Sequence, residues 1–290
     1  MKKLIFLLLL GNPFFTFSQN KNSLLWGISG NGISKSSYIF GTIHYICEND
    51  LVISSNLKSI IPKVENVYLE IDFNEEYNDF KNHYNAFNHS GKQLKQYFTE
   101  EEYATLEKKF NRKFWKYNLT LAQFSNYKPH EILSVIQQKV VICKASSYEA
   151  AISKLAKREG KPIKGIESFE EHNVFQIEDD SVLRAKAHRF YEIITQKDDL
   201  GEEIAEFQKL TTIYKSQDIE QIYNYGLENS KNINILKGVE YRNKLWISRI
   251  ADYSKKQQNL FAVGAGHLGG ENGLIVLLQK AGYTLIPMDN

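Results

Sequence analysis

Two histidines follow apolar segments in matching Gly-x-x-His patterns. Gly41-Thr-Ile-His44 comes after Tyr38–Phe40, and Gly264-Ala-Gly-His267 comes after Asn259–Val263. Glycine at the start of each pattern allows the backbone to turn sharply or to approach a ligand closely. Neutral imidazole is a good metal ligand and, near neutral pH, a good general base. A lone histidine in such a loop is more often simply hydrogen-bonded, but the matched pair favours two histidines that converge on one site.

Carboxylates in two predicted strands are further candidates. Glu70 lies inside the apolar segment Val67–Asp72, and Asp72 is on the same face of that strand. Burial of a carboxylate is costly unless it is paired, protonated or bound to a metal, so Glu70 is either functional or on an exposed strand face. Glu167 ends a predicted short strand, 161–167. The simpler interpretation of Glu167 is that its negative charge stabilises the N-terminus of the next helix.

Arg242 lies on a predicted helix that is apolar on another face. An arginine in this context is usually solvated. Close to two histidines and a carboxylate, it would instead orient the carboxylate or stabilise a developing oxyanion. The remaining histidines lie in polar helical segments and are predicted to be surface residues: His83, His89, His130, His172 and His188.

The strands that would position these residues lie towards both ends of the chain. Segments 23–28 and 37–40 are predicted to form a hairpin around Gly30-Asn31-Gly32. Four more predicted strands, 67–72, 163–167, 259–263 and 283–287, are separated by helices, which favours a largely parallel sheet. The predicted fold is therefore α/β, with a central mixed, mostly parallel sheet formed by the N- and C-terminal segments. Ligands of such sheets bind beyond the carboxyl ends of the strands.

Helical patterns fill the rest of the chain. We predict a helical insertion at about 74–160 and 181–253 within a single domain that spans 19–290. Two capping boxes mark helix starts, Thr99 with Glu102 and Ser168 with Glu171. The apolar spacing of 51–61, closed by Pro62, predicts a further helix.

Residues 1–18 are predicted to be a secretory signal peptide. Lys2-Lys3 precedes the apolar segment Leu4–Leu10, which is too short to span a membrane. We expect cleavage after Ser18 or Gln19 and a secreted or periplasmic protein with no membrane span. Cleavage removes two lysines from a chain of net charge +2, leaving about zero, which argues against a nucleic-acid partner.

Two cysteines, Cys47 and Cys143, are far apart in the sequence. In an exported protein they would be able to form a disulfide. The alternative is a pair of buried free thiols, and the spacing does not distinguish the two.

The chain resembles the TraB/GumN family, which includes the Tiki-type metalloproteases and is related to erythromycin-esterase and ChaN-like folds. The resemblance rests on these segments, in this order: Leu25–Gly30, Phe40–His44, Tyr68–Asp72, Gly165–Ser168, Arg242-Asn243 with Trp246, and Val263–Leu268 through Gly282-Tyr283. It implies an α/β fold with helical insertions and a site built from His44, Glu70, Arg242 and His267. Some relatives resemble metal-dependent proteases that use manganese or cobalt, and others are known only as regulators that block peptide signalling.

The leading hypothesis is an exported metal-dependent hydrolase, a peptidase of Tiki type. His44, His267 and Glu70 would hold one divalent ion (Mn, Co or Zn), with Asp72 and Glu167 as possible further carboxylates, and Arg242 would stabilise the oxyanion. Glu70 could instead be the general base. Two alternatives stay open on the same fold: a protein that binds or regulates a peptide or small ligand without cleaving it, and a metal-free, esterase-like hydrolase with a histidine base.

Overall fold

The computed structural model describes residues 22–71, 92–140, 143–168, 171–172, 180–196, 200–229 and 233–290. The strands are β1 Leu25–Ser29, β2 Ser37–Thr42, β3 Ile46–Cys47, β4 Asn66–Leu69, β5 Ala145–Ser146, β6 Ile163–Gly165, β7 Asn259–Gly264 and β8 Thr284–Met288. The helices are α1 Ser55–Ile60, α2 Glu100–Phe114, α3 Pro129–Val140, α4 Tyr148–Arg158, α5 Asp180–Thr195, α6 Gly201–Lys215, α7 Ile219–Asn229, α8 Ile233–Lys256 and α9 Leu274–Lys280.

Six strands form the central sheet, in the order β6-β4-β7-β2-β1-β8. The pairs β6–β4, β4–β7 and β7–β2 are parallel, whereas β1 is antiparallel to both β2 and β8. Within this sheet β1 is therefore the strand that runs against the others. The predicted α/β class, with a mostly parallel sheet formed from both ends of the chain, is confirmed.

The turn between β1 and β2 has the backbone geometry that its sequence predicts. Gly30, Asn31 and Gly32 all have positive φ angles, of 79°, 45° and 86°. Glycine and asparagine adopt this conformation at the lowest steric cost, so the hairpin prediction is confirmed.

Two large clusters of buried apolar side chains support the fold. The first covers the sheet and the helices packed on it. The second lies between helices α2, α3 and α5, and its members include Leu106, Phe110, Phe114, Ile132, Ile136 and Phe190. Leu106, Phe110 and Phe114 are spaced four residues apart, so they lie on one face of α2. The helical insertion thus has a core of its own, while the division of the chain into domains stays a prediction.

Several boundaries differ from those predicted. Helix α1 begins at Ser55, where the Ser54 side chain accepts a hydrogen bond from Leu57 N, and a 3-10 turn at Ile61–Lys63 follows it. Strand β4 ends at Leu69, so Glu70 follows the strand rather than lying inside it. The capping boxes at Thr99 and Ser168 are both present, as predicted.

The sequence did not indicate strands β3 and β5, because two residues are too few for a periodic pattern. They pair antiparallel, with Ile46 opposite Ser146. A disulfide joins Cys47 to Cys143 beside this pair, which settles the choice between a bond and two free thiols. The predicted signal peptide and Asp72 lie outside the described residues. No helix in the described part of the chain is both long and apolar enough to cross a membrane.

Candidate active site

The carboxyl ends of four neighbouring parallel strands bring the predicted site residues together. Thr42 of β2 is opposite Gly264 of β7, and Leu69 of β4 is opposite Ala262. His44 and His267 follow the ends of β2 and β7 within three residues, and Glu70 follows β4 directly. Because parallel strands end at the same edge of a sheet, these side chains meet there. Both Gly-x-x-His patterns therefore contribute to one site.

His267 is a buried, neutral histidine whose tautomer is fixed by Asn243. Its Nδ1 lies 2.6 Å from Asn243 Oδ1. The Asn243 amide nitrogen donates to the carbonyl oxygens of His267 and Asn272, which orients the amide so that its oxygen faces the ring. Nδ1 consequently carries the hydrogen, and the lone pair of Nε2 accepts a hydrogen bond from Arg242 Nη1. Burial lowers the pKa of His267 to about 3.

The unprotonated Nε2 of His267 faces a charged pair. It lies 3.8 Å from Glu70 Oε1 and 3.3 Å from Arg242 Nη1. Burial opposes ionisation of Glu70, but nearby positive charge, that of Arg242 above all, outweighs it and holds the pKa of Glu70 well below its usual value. Glu70 is therefore a buried carboxylate in its ionised form.

His44 lies at the open side of the site. Its side chain is 71% exposed, and its Nδ1 donates to Glu149 Oε1 at 2.8 Å. The same carboxylate oxygen accepts a hydrogen bond from the Thr42 hydroxyl. The hydrogen bond to Glu149 is the main factor that raises the pKa of His44 to about 9. With Nδ1 engaged in this way, Nε2 is the ring nitrogen left to meet a ligand or substrate.

Gly264 is the backbone position on which the three side chains converge. A Cβ atom at this glycine would lie 3.1 Å from Glu70 Oε1, 3.7 Å from His267 Cδ2 and 3.8 Å from His44 Nε2. The Gly264 amide also donates to Glu70 Oε1 at 2.6 Å. Glycine therefore leaves room at the centre of the site and fixes one oxygen of the carboxylate.

Arg242 joins two buried carboxylates behind this centre. Its Nη2 lies 2.6 Å from both Glu70 Oε2 and Glu167 Oε1. Trp246 completes the arrangement, because its indole nitrogen donates to Glu167 Oε2 at 2.8 Å and its ring lies 4.6 Å from the guanidinium carbon. Two carboxylates facing one guanidinium satisfy the requirement that buried charges be paired.

This geometry agrees with a comparison of the whole chain. A model of the TraB/PrgY/gumN family matches residues 24–287. The chain belongs to the TraB/PrgY/gumN family. The match includes every site residue named above, and it confirms the resemblance drawn from the motifs. Comparisons with curated proteins and with solved structures each give no significant match.

The structure decides between the two interpretations of Arg242 and Glu167 in this TraB/PrgY/gumN protein. They are 8% and 5% exposed, so neither is a solvated charge at a helix surface. Asn243 and Trp246 were indicated only by the family resemblance, which gave them no role. Glu149 gave no signal, since an acid in the first turn of a capped helix is usually explained by the helix dipole.

The surface prediction for the other histidines is partly wrong. His188 is 72% exposed, as predicted. His172 is only 20% exposed, and its Nδ1 lies 2.9 Å from Glu167 Oε1. His130 is partly buried as well, and His83 and His89 lie outside the described residues.

Two sets of residues in this family member have the donor types that a metal requires. In the described part of the chain, Glu70, Glu167 and His172 have ligand atoms within 4.8 Å of one another. Arg242 already lies between those two carboxylates, and its charge would repel a cation there. The set His44, His267 and Glu70 offers two imidazole Nε2 atoms and a carboxylate, donors that suit a first-row divalent ion. Arg242 also contacts two members of this set, His267 Nε2 and Glu70, so a bound ion would have to displace those contacts.

Proposed function

We propose that this protein is an exported metal-dependent hydrolase whose substrates are peptides. The observation that supports this most strongly is shared by the two histidines. Each has Nδ1 held by a side-chain oxygen, from Glu149 for His44 and from Asn243 for His267. In metal sites, an outer hydrogen bond of this kind orients the imidazole and fixes its tautomer. His44 Nε2, His267 Cδ2 and Glu70 Oε1 all lie within 4 Å of the position that a Cβ atom at Gly264 would take.

In this proposal His44, His267 and Glu70 hold one divalent ion, of manganese, cobalt or zinc. Asp72 lies outside the described residues, and Glu167 has its oxygens occupied by Arg242, Trp246 and His172. A bound ion of this type lowers the pKa of a water ligand and polarises a carbonyl group. Peptides are proposed as substrates because of the resemblance to Tiki-type metalloproteases, and the exposed His44 side chain is accessible from solvent.

The other side chains have distinct roles. Arg242 is a fixed positive charge next to His267 Nε2, where it would stabilise negative charge that develops on a substrate oxygen. Glu70 is ionised and can accept a proton or bind a cation. Glu149 and Asn243 orient the two histidines and touch no substrate themselves. The Cys47–Cys143 disulfide supports export, because such bonds persist in oxidising compartments.

Metal analysis of the chain from residue 19 onwards tests the ligand assignment. We expect about one equivalent of bound divalent metal in the unaltered protein and a loss of at least tenfold in affinity for His44→Ala and for His267→Ala. His188→Ala is the matched control, since His188 is an exposed histidine away from the strand ends. Unchanged metal content in both site variants would reject the proposal.

A non-catalytic binding protein is the second candidate, and one observation favours it. Glu70 and Glu167 already share Arg242 as an ion-pair partner, so neither carboxylate depends on a bound metal ion for a partner. Incubation with a mixed peptide library, followed by mass spectrometry, separates the candidates. Cleavage that a chelator abolishes supports the metal-dependent hydrolase, chelator-resistant cleavage points to a histidine base, and retention of intact peptides points to binding alone.

A further inference from the structure

One end of helix α2 carries an exposed cluster of basic and aromatic side chains. Lys108, Lys109, Arg112 and Lys116 are all exposed. At 100° per residue Lys108 and Arg112 lie on the side of the helix opposite its buried Leu106, Phe110 and Phe114, Lys109 lies beside them, and Lys116 follows in the 3-10 turn Trp115–Tyr117. The sequence contains no Asp or Glu from Lys108 to His130. We call these four residues, with Trp115 and Tyr117, the basic-aromatic cluster.

The aromatic residues of the cluster are exposed to an unusual degree. Trp115 is 67% exposed and Tyr117 is 42% exposed, whereas Trp26 and Trp246 are 2% and 0% exposed. The Lys116 ammonium lies 5.9 Å from the centre of the Trp115 ring. A large apolar ring that is flanked by cations and left in water is a feature of interaction surfaces rather than of an ordinary solvated helix.

The turn that carries Trp115 is held firmly by the helical core. The 3-10 turn Trp115–Tyr117 ends at Asn118, which has a left-handed conformation with φ of 56°. Next along the chain, Leu119 and Leu121 are buried in the helical core. The Asn111 side chain accepts a hydrogen bond from Leu121 N at 2.8 Å. Trp115 is thus presented on a preformed turn, so little ordering entropy is lost when it binds a partner.

The chemistry of the cluster identifies the kind of partner. The four positive charges of the cluster would repel the same cluster on a second copy of the protein. This repulsion argues against self-association through the basic-aromatic cluster. Tryptophan and tyrosine rings prefer the headgroup region of a bilayer, and lysine and arginine beside them are attracted to anionic headgroups. We propose that the basic-aromatic cluster docks the protein on an anionic lipid surface. This inference is independent of the metal site and of the proposed hydrolase activity.

Vesicle flotation with the chain from residue 19 onwards tests the proposal. The N-terminal apolar segment is left out because it would itself bind lipid, and all of the sheet lies in residues 22–290. Vesicles of phosphatidylcholine with about one third phosphatidylglycerol should bind the protein, and binding should fall steeply with added salt. Removal of each cation should weaken binding roughly fivefold. The quadruple variant K108Q/K109Q/R112Q/K116Q should therefore lose binding by at least a hundredfold.

Trp115 provides a direct optical readout. Because the other two tryptophans are buried, a blue shift of the emission on vesicle addition should come from Trp115 and should be absent in Trp115→Phe. Trp115→Ala should weaken binding roughly tenfold. The matched control K58Q/K63Q/K255Q/K256Q removes four exposed lysines from elsewhere on the described surface and should bind as the unaltered protein does.

Three results would overturn the proposal. The first is equal binding of the quadruple variant and its control. The second is equal binding to vesicles that lack phosphatidylglycerol. The third is binding to a soluble polyanion such as heparin without any binding to anionic vesicles, which would assign the cluster to an acidic polymer instead. Circular dichroism spectra of all variants exclude misfolding as the cause of a loss.

Discussion

At the scale of single residues, the site depends on which nitrogen of each histidine is free. Burial leaves His267 neutral, and Asn243 fixes its tautomer, because the Asn243 amide is held by two backbone carbonyls. His44 differs, since its hydrogen bond to Glu149 raises its pKa to about 9. At neutral pH the two histidines of one site therefore carry different charges, and His44 must release a proton before Nε2 can bind a metal.

Replacement of Glu149 by glutamine tests this difference. The imidazolium of His44 loses its carboxylate partner, so its pKa should fall from about 9 towards the ordinary value of 6.5. A raised pKa in the folded state contributes stability that is fully present below about pH 6.5 and is lost as the pH rises through about 9. That pH dependence should disappear in Glu149→Gln. Titration of the His44 ring protons by NMR measures the change directly.

The same substitution should also affect the proposed metal site. Loss of an outer hydrogen bond to a ligating histidine typically weakens metal binding 10- to 100-fold. Glu48→Gln is a suitable control, because Glu48 is an exposed acid that pairs with Lys144. An unchanged His44 pKa in Glu149→Gln would show that the pair has no influence on the histidine.

At the scale of elements, the turn after β7 combines two requirements. Gly264 ends the strand, and its amide fixes Glu70. Gly264→Ala would place a methyl group 3.1 Å from Glu70 Oε1, at the point where the three side chains converge. Because φ at Gly264 is −52°, alanine fits the backbone. We expect metal binding and activity to fall at least tenfold, with the fold retained.

Gly266→Ala, two residues further on, is the matched control for this turn. A Cβ atom there has nothing within 4 Å. The control should leave metal affinity and activity unchanged, as measured by calorimetry and peptide cleavage. Equal losses in both variants would mean that the turn itself, and not the crowded centre of the site, limits function.

Arg242 connects α8 to the ends of β4 and β6. Arg242→Met would leave Glu70 and Glu167 buried without their shared cation. Loss of one partner of a buried ion pair typically costs about 3–5 kcal/mol in the free energy of unfolding. Arg184→Met removes an exposed pair with Asp180 and should cost far less, because solvent screens that pair. Urea denaturation of both variants gives the comparison, and similar small losses would contradict a structural role for Arg242.

At the scale of the whole molecule, the disulfide links the strand that follows His44 to the segment that precedes Glu149. Cys47 and Cys143 are 96 residues apart in the sequence, and β3 pairs with β5 beside the bond. A crosslink that closes a loop of this length is expected to contribute about 4 kcal/mol of stability. The bond thus stabilises the fold and holds together the two sides of the His44–Glu149 pair.

The double variant Cys47→Ser/Cys143→Ser tests both effects. Its melting temperature should fall by roughly 5–10 °C. The pKa of His44 should move down as its distance from Glu149 becomes less restricted. Differential scanning fluorimetry and NMR titration measure the two quantities, and reduced unaltered protein should behave like the variant. A lowered melting temperature with an unchanged His44 pKa would limit the bond to a purely stabilising role.

The sequence by itself determined the elements and most of the site. Alternating strands and helices indicated the α/β sheet, and the two Gly-x-x-His patterns indicated His44 and His267, because such local signals depend on residues close in the chain. Glu70 was singled out as a carboxylate inside an apolar strand, and it instead follows the last residue of that strand. The assignment of these residues as metal ligands stays a prediction.

Only the tertiary structure decided how the side chains pair. Glu149 and His44 are 105 residues apart in the numbering of the chain, and nothing in the sequence around either residue indicates the other. Arg242 and Glu167 are judged exposed from local polarity, yet each is buried because the other neutralises its charge. The free energy of a buried charge depends on partners that folding brings close in space. Residue patterns therefore locate the site, and long-range contacts set its charge.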